Sequence, residues 1–116
     1  MNIAAFSEKS LFQPRLLAEE WLTTQDEIAR TAGLGRDAIA RKDRLASAKT
    51  QTRLRELVEI INRLTPRFGS GLVAYAWVRS EPLPGFGGMT PARLLQDGHA
   101  AAVMDYIDAV DAGGFA

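Results

Sequence analysis

Apolar residues recur at helical spacing along most of the chain, most clearly between Lys49 and Leu64. Their separations of three and four residues place the side chains on one face of an α-helix. These positions are Leu54, Leu57, Val58, Ile61 and Leu64. Pro66 is expected to end this helix because proline lacks an amide hydrogen and disfavours helical backbone before it. The pattern predicts one long amphipathic helix.

The same spacing predicts shorter helices on both sides of this one, and therefore an all-α fold. They are expected over Phe12–Leu22, with Trp21 as a core anchor, Leu72–Val78, Thr90–Leu95 and His99–Ala112. The expected inward positions are Leu72, Val73, Ala76 and Trp77 in the second of these helices and Val103, Ile107 and Val110 in the last. A strand over 72–78 is an alternative, but the chain offers no obvious strand partner for it.

Two short helices joined by a glycine turn are predicted between Thr23 and Leu45. Thr24 can cap the first helix with Glu27 three residues later, and Gly33 can end it in left-handed conformation. A second helix then begins after Gly35, with Ala38 and Ile39 inward. This arrangement is that of a helix-turn-helix, whose second helix enters the major groove in DNA-binding proteins; the alternative is a helix-turn-helix that serves only as a structural unit.

Charge is distributed unevenly although the formal net charge is zero. Residues 30–55 carry eight basic and two acidic side chains, which gives +6, whereas residues 1–29 and 56–116 each sum to −3. A basic middle is typical of a nucleic-acid-binding face, and a merely solvated helix surface is the alternative. The residues expected to contact DNA are Thr24, Gln25, Arg36, Asp37, Arg41, Lys42 and Arg44.

A proline- and glycine-rich elbow follows Trp77. Pro82 and Pro84 prevent a helix from continuing, and Gly85, Gly87 and Gly88 allow backbone conformations that other residues adopt only at a cost. Thr90 and Pro91 then form the start of a new helix, as N-cap and first helical residue. The elbow therefore has a required shape, unless it is an ordinary turn between two core helices.

Composition excludes most catalytic chemistry. The chain has no cysteine and a single histidine, His99, so neither a thiolate site nor a multi-histidine metal site is expected. No nucleophile–histidine pair or phosphate-binding loop is evident, and we expect no enzyme, cofactor or metal. The N-terminus does not resemble a signal peptide and the longest apolar run is too short to span a bilayer, so we expect a cytoplasmic protein.

The last 21 residues are acidic, with four aspartates and no lysine or arginine. Three of these, Asp105, Asp108 and Asp111, lie in the predicted last helix, which ends at Gly113 and Gly114 before Phe115. Such a helix could insert into a basic cleft of a partner, or it could be a solvated face with a frayed end.

From about Phe68 to Ala116 the order of these features resembles the toxin-binding domain of Xre/MbcA/ParS-like antitoxins. The motifs are Trp77, Pro82 to Pro84, Gly87-Gly88, Thr90-Pro91, Leu94-Leu95, Asp97-Gly98, Val103 and Gly113-Gly114-Phe115. The N-terminal half resembles the Xre-like helix-turn-helix of the same antitoxins more weakly. Lys42, where an apolar residue is expected, and Phe86, where leucine is common, depart from the pattern.

The resemblance implies a helix-turn-helix region over 1–66 joined by the long helix to a toxin-binding domain over 67–116. It implies a type II antitoxin that binds a RES-domain, NAD-consuming toxin, covers its active site and represses the shared operon, as a homodimer or within the toxin complex. The toxin-binding residues would be Trp77, as scaffold, with Asp105, Asp108, Asp111, Gly114, Phe115 and Ala116. The alternatives are a free-standing helix-turn-helix regulator and a structural adaptor that binds only protein.

Overall fold

The computed structural model describes residues 7–8 and 11–113 of the chain. Within these residues it contains a short hairpin and eight helices, which confirms the all-α prediction. The elements are β1 (Ser7–Glu8), β2 (Leu11–Phe12), α1 (Pro14–Glu20), α2 (Gln25–Thr31), α3 (Arg36–Ala40), α4 (Lys42–Leu45), α5 (Ala48–Phe68), α6 (Gly71–Ser80), α7 (Pro91–Gln96) and α8 (Ala100–Asp111).

The first helix begins later than the periodicity predicts. Phe12 belongs to β2, which pairs antiparallel with β1 so that Ser7 is opposite Phe12. The Gln51 side chain of α5 accepts a hydrogen bond from the Phe12 amide (2.7 Å) and donates one to the Phe12 carbonyl (3.2 Å). The hairpin is thereby attached to α5, and α1 begins at Pro14, a residue suited to the first turn.

The long helix α5 is the central element, and all five of its predicted inward residues are buried. It continues through Pro66 to Phe68, so the prediction that Pro66 ends it is wrong. In the last turn proline removes only one intrahelical donor, the amide that would reach Asn62, and this loss does not break the helix. The helix ends instead at Gly69, whose φ of +85° is left-handed.

Helix α6 buries a different face from the predicted one. Ala74, Tyr75 and Val78 are buried, whereas Leu72, Val73 and Ala76 are exposed and Trp77 is half-buried against the Phe68 ring. The Tyr75 ring stacks on Trp21 with centroids 5.1 Å apart, and its hydroxyl shares a 3.0 Å hydrogen bond with Thr31. These contacts with α1 and α2 fix the rotation of α6 and turn Leu72 and Val73 outward.

One core joins the N-terminal and C-terminal helices. Trp21 and Ile28 from the first part, Leu57 from α5, and Val103 and Ile107 from α8 all belong to the same cluster of buried side chains. Gly33 ends α2 as predicted, with φ +78°, and a Cβ there would lie only 3.2 Å from the Gln96 backbone of α7. The boundary expected between residues 66 and 67 falls inside α5, a helix that packs against both parts.

The elbow has the predicted positive-φ glycines, with φ values of +84°, +64° and +83° at residues 85, 87 and 88. The Leu83 amide donates to the Met89 carbonyl across it (2.9 Å), and the Leu83 side chain is buried. Thr90 caps α7 by accepting a hydrogen bond from the Arg93 amide (3.2 Å). The elbow therefore leads the chain from α6 into α7 as a defined turn.

The predicted second helix of the helix-turn-helix is divided in two. Arg41 has extended backbone (φ −114°, ψ 132°) between α3 and α4, and neither helix contains a buried residue. Ile39 and Leu45, the large apolar residues of this segment, are six positions apart, so a continuous helix would turn them about 120° away from each other. The break at Arg41 lets both become half-buried.

Candidate functional site

The C-terminal helices form a scaffold that is held in place by contacts from the elbow and from α5. The Phe86 ring meets Tyr106 of α8 edge-on, with centroids 6.2 Å apart. Arg53 of α5 donates a hydrogen bond to the Leu95 carbonyl (3.0 Å), near the end of α7. A cation at this position also offsets the negative end of the helix dipole. Trp77, expected to be scaffold, packs on Phe68 within this framework.

The three aspartates of α8 differ in their surroundings although all three are exposed. The Asp108 carboxylate is ion-paired with Arg63 and the Asp111 carboxylate with Arg67, both arginines on α5. Among the described residues, Asp105 has no ion pair within the chain. Gly114, Phe115 and Ala116 lie outside the described residues. The structure therefore separates one unpaired aspartate from two that contact α5.

An apolar surface that the periodicity did not predict lies on α6. We call Leu72, Val73 and Ala76 the α6 patch; the side chains of Leu72 and Val73 are 41% and 47% exposed. Their only counterpart among the large exposed apolar side chains of the described residues is Leu22, which is 77% exposed. The sequence did contain a signal, because Ala74, Tyr75 and Val78 form an alternative apolar stripe at helical spacing.

The residues expected to contact DNA lie at the surface around α2, α3 and α4. The Thr24 hydroxyl caps α2 as predicted by accepting the Glu27 amide (3.1 Å), and Gln25 is the first residue of that helix. The Glu27 carboxylate does not complete a reciprocal cap; it contacts Arg30 (2.9 Å) and Arg79 (3.1 Å). The capping hydroxyl is thus already occupied by the protein's own backbone.

The basic side chains of this region are exposed and in part paired. Arg36 lies 3.4 Å from Asp26 and Arg41 lies 3.6 Å from Asp43, in both cases between side chains that are more than half exposed. Such pairs are weak and can exchange partners at little cost. Lys42 and Arg44 are exposed on α4, and Asp37 is exposed on α3.

A cleft of about 260 Å³ lies between the turn that follows α2 and the start of α5. Arg44, Lys49 and Asp37 contribute its charged groups. The remaining lining residues are Gly33, Leu34, Gly35, Ala38, Ser47 and Thr50. Two cationic side chains and one carboxylate give this lining a positive net formal charge.

Catalytic features are not prominent in the part of the chain that the structure describes. No group of three histidine or acidic side chains there is arranged to hold a metal ion, and no helix there is long and apolar enough to cross a membrane. Burial raises the pKa of the Tyr75 hydroxyl above its usual value of 10.0, an effect that the Thr31 hydrogen bond partly offsets. That tyrosine lies in the core.

The fold is that of an all-α protein whose C-terminal helices carry an exposed apolar patch on α6 and exposed aspartates on α8. Residues 63–113, from the end of α5 to just after α8, match the family model of the antitoxin Xre/MbcA/ParS C-terminal toxin-binding domain. This match confirms the resemblance that the sequence motifs predicted for the C-terminal part of the chain, and a toxin-binding domain implies a toxin as partner. No curated protein and no solved structure matches the chain significantly.

Proposed function

We propose that this protein is the antitoxin of a type II toxin–antitoxin system and neutralises a RES-domain, NAD-consuming toxin in the cytoplasm. The observation that carries the proposal is the match of residues 63–113 to a toxin-binding domain. An antitoxin acts by binding, so no catalytic group is required of this chain.

Neutralisation is proposed to occur by covering the toxin's active site with the end of α8 and residues 114–116. Asp105 is exposed on α8, and Asp111 lies in its last turn. An enzyme that consumes NAD must bind the two phosphates of its substrate, and basic side chains are suited to that task. Acidic groups on α8 would therefore be attracted to such a cleft.

Co-expression with the product of the adjacent gene tests this proposal. We expect a RES-domain protein that co-purifies with the antitoxin and cellular NAD that remains at its normal level. Deletion of residues 114–116 should release toxicity and lower NAD. The matched control is Lys42→Ala on α4, which leaves the C-terminal helices unchanged and should protect NAD fully.

The opposite result has a specific meaning. If the adjacent product is unrelated to RES enzymes, or if it does not bind, the chain is better described as a free-standing DNA-binding regulator. If it binds and is neutralised equally well without residues 114–116, the active site is covered by another part of the antitoxin.

Operator repression is proposed as the role of the basic surface on α3 and α4, acting in a homodimer or in the toxin complex. Arg36, Arg41, Lys42 and Arg44 are exposed there, and phosphate contacts by such residues supply most of the affinity for DNA.

Binding of the operon's promoter fragment should weaken as the salt concentration rises. Arg41→Ala should reduce the slope of the logarithm of the binding constant against the logarithm of the salt concentration by about one. Arg93→Ala, which removes an exposed arginine from α7, should leave the slope unchanged. Operator repression would be contradicted if the two substitutions had equal effects on the salt dependence. It would also be contradicted if neither the antitoxin nor its complex with the toxin bound the promoter fragment.

A further inference from the structure

Two ion pairs connect α8 to α5 in the same order along both helices. Arg63 contacts Asp108 and Arg67 contacts Asp111, across sequence separations of 45 and 44 residues. Because both numbers increase together, the two helices run parallel and their C-terminal ends lie at the same end of the molecule. The last turn of α8, from which residue 114 follows shortly, is therefore beside the last turn of α5.

Parallel helix ends are electrostatically unfavourable neighbours. Each C-terminus carries a partial negative charge, and Asp111 adds a full one in the last turn of α8. That turn contains no basic residue, whereas the last turn of α5 contains Arg67. The cation that compensates the end of α8 therefore comes from α5.

Burial holds the middle of α8 but not its end. Val103 and Ile107 are buried, whereas Val110 is only half-buried and Asp111, Ala112 and Gly113 are exposed. Exposed ion pairs contribute little to the stability of a whole protein. Here, however, they act on a terminal turn that has few other contacts, so their loss should change where that turn lies rather than whether the chain folds.

We propose that Arg63 and Arg67 are positioning residues for toxin binding, which hold the end of α8 on α5 through Asp108 and Asp111. In this arrangement Asp108 and Asp111 pair within the antitoxin, and Asp105 is the aspartate of α8 that faces the partner. The proposal rests on the proposed neutralisation of a toxin through the end of α8, and it changes the role expected for two of its three aspartates.

Exchange of the two charges of the Arg63–Asp108 pair tests whether Asp108 holds α8 on α5 or contacts the toxin directly. The variants are Arg63→Asp, Asp108→Arg and the two combined, and the measurement is the Kd for the adjacent toxin by calorimetry at two salt concentrations. Each single variant should weaken binding about three- to tenfold, because the end of α8 is released and must be reordered on binding. The combined variant should recover most of the loss, since the pair is restored with its charges reversed.

Asp105→Arg provides the matched control for an aspartate in contact with the partner. This substitution should weaken toxin binding. Adding Arg63→Asp to it should not recover the lost affinity. All variants should retain the wild-type circular dichroism spectrum and nearly the wild-type Tm, so that a loss of affinity does not reflect unfolding.

Two results would overturn the proposal. One is that Asp108→Arg weakens binding, Arg63→Asp does not, and the combination stays weak, which would place Asp108 in contact with the toxin. The other is that both single variants bind as the wild type does. If wild-type antitoxin fails to bind the adjacent toxin, the proposed function fails, and the pairing is judged from hydrogen exchange of the amides at the end of α8 in the free protein. The single variants should accelerate that exchange and the combination should restore it; unchanged exchange would reject the pairing as well.

Discussion

The C-terminal helices and the α3–α4 segment both pack beside α5, but they differ in how much of their surface is buried. Helices α6, α7 and α8 each bury at least three residues, whereas α3 and α4 bury none. In α6 and α8 the buried residues share one face, whereas Ile39 and Leu45 would lie on different faces of one continuous helix. The comparison indicates that well-packed C-terminal helices stand next to a segment that contributes no fully buried residue to the core.

Matched isoleucine-to-alanine substitutions in the two regions should give the largest difference in the free energy of unfolding. Ile61→Ala empties a fully buried position in α5 and should lower the free energy of unfolding by about 2–5 kcal/mol. Ile39→Ala, at a half-buried position of α3, should lower the free energy of unfolding by less than about 1 kcal/mol. Denaturant unfolding of both variants measures the two values, and similar costs would show that the α3–α4 segment is as tightly packed as the core.

Alkaline pH should weaken the buried contact between Tyr75 of α6 and Thr31 of α2. Burial raises the pKa of Tyr75, so the folded protein keeps a proton that the unfolded chain releases above about pH 10. This contribution to stability is fully present below the unfolded pKa and is lost as pH rises toward the folded pKa.

Tyr75→Phe removes this titration and also leaves the buried Thr31 hydroxyl without its tyrosine partner. The variant should be about 1–3 kcal/mol less stable at neutral pH but should lose less stability between pH 9 and 11. Parallel pH profiles for wild type and Tyr75→Phe would contradict the prediction.

Substitution of the α6 patch tests whether the C-terminal region binds its partner through more than α8. Leu72→Ser combined with Val73→Ser should weaken toxin binding by about 1–2 kcal/mol, roughly tenfold, if these side chains become buried in the complex. Leu22→Ser also replaces an exposed apolar side chain by serine, but it lies outside residues 63–113 and should leave the Kd unchanged. Equal Kd values for the patch variant and the wild type would exclude the patch from the interface.

The smallest effect is expected at Leu22, whose φ of +53° is unusual for a residue with a branched side chain. Leu22→Gly should raise the free energy of unfolding by about 0.5 kcal/mol, because relief of the left-handed strain exceeds the added entropy of the unfolded chain. Val73→Gly, a change at an exposed position of a regular helix, should lower the free energy of unfolding by roughly 0.3–0.5 kcal/mol. A loss of stability in both variants would show that Leu22 is not strained.

Much of the fold could be predicted because its signals are local. The caps at Thr24 and Thr90, the glycines of the elbow and the inward stripe of α5 all follow from residues within one or two turns of one another. The family of the C-terminal domain was predictable for the same reason, since its motifs have a fixed order and spacing.

The wrong end of α5 at Pro66 has a local cause, whereas the buried face of α6 depends on distant contacts. The rotation of α6 is set by Trp21 and Thr31, more than 40 residues away, and sequence spacing alone allowed either of two apolar faces. The pairing of Asp108 and Asp111 with α5 likewise depends on which helix lies beside α8. The roles assigned to the DNA-contacting and toxin-contacting residues stay predictions.

Gly33 has a consequence for how chains of this kind can be recombined. The backbone of Leu95 and Gln96 lies so close to it that an added Cβ would come within 3.2–3.3 Å of main-chain atoms. A chimera that joins these N-terminal helices to the C-terminal half of another protein with a similar domain should therefore keep its fold only if the incoming α7 follows the same backbone path. The backbone of the N-terminal helices and that of α7 are in this sense fitted to each other at Gly33.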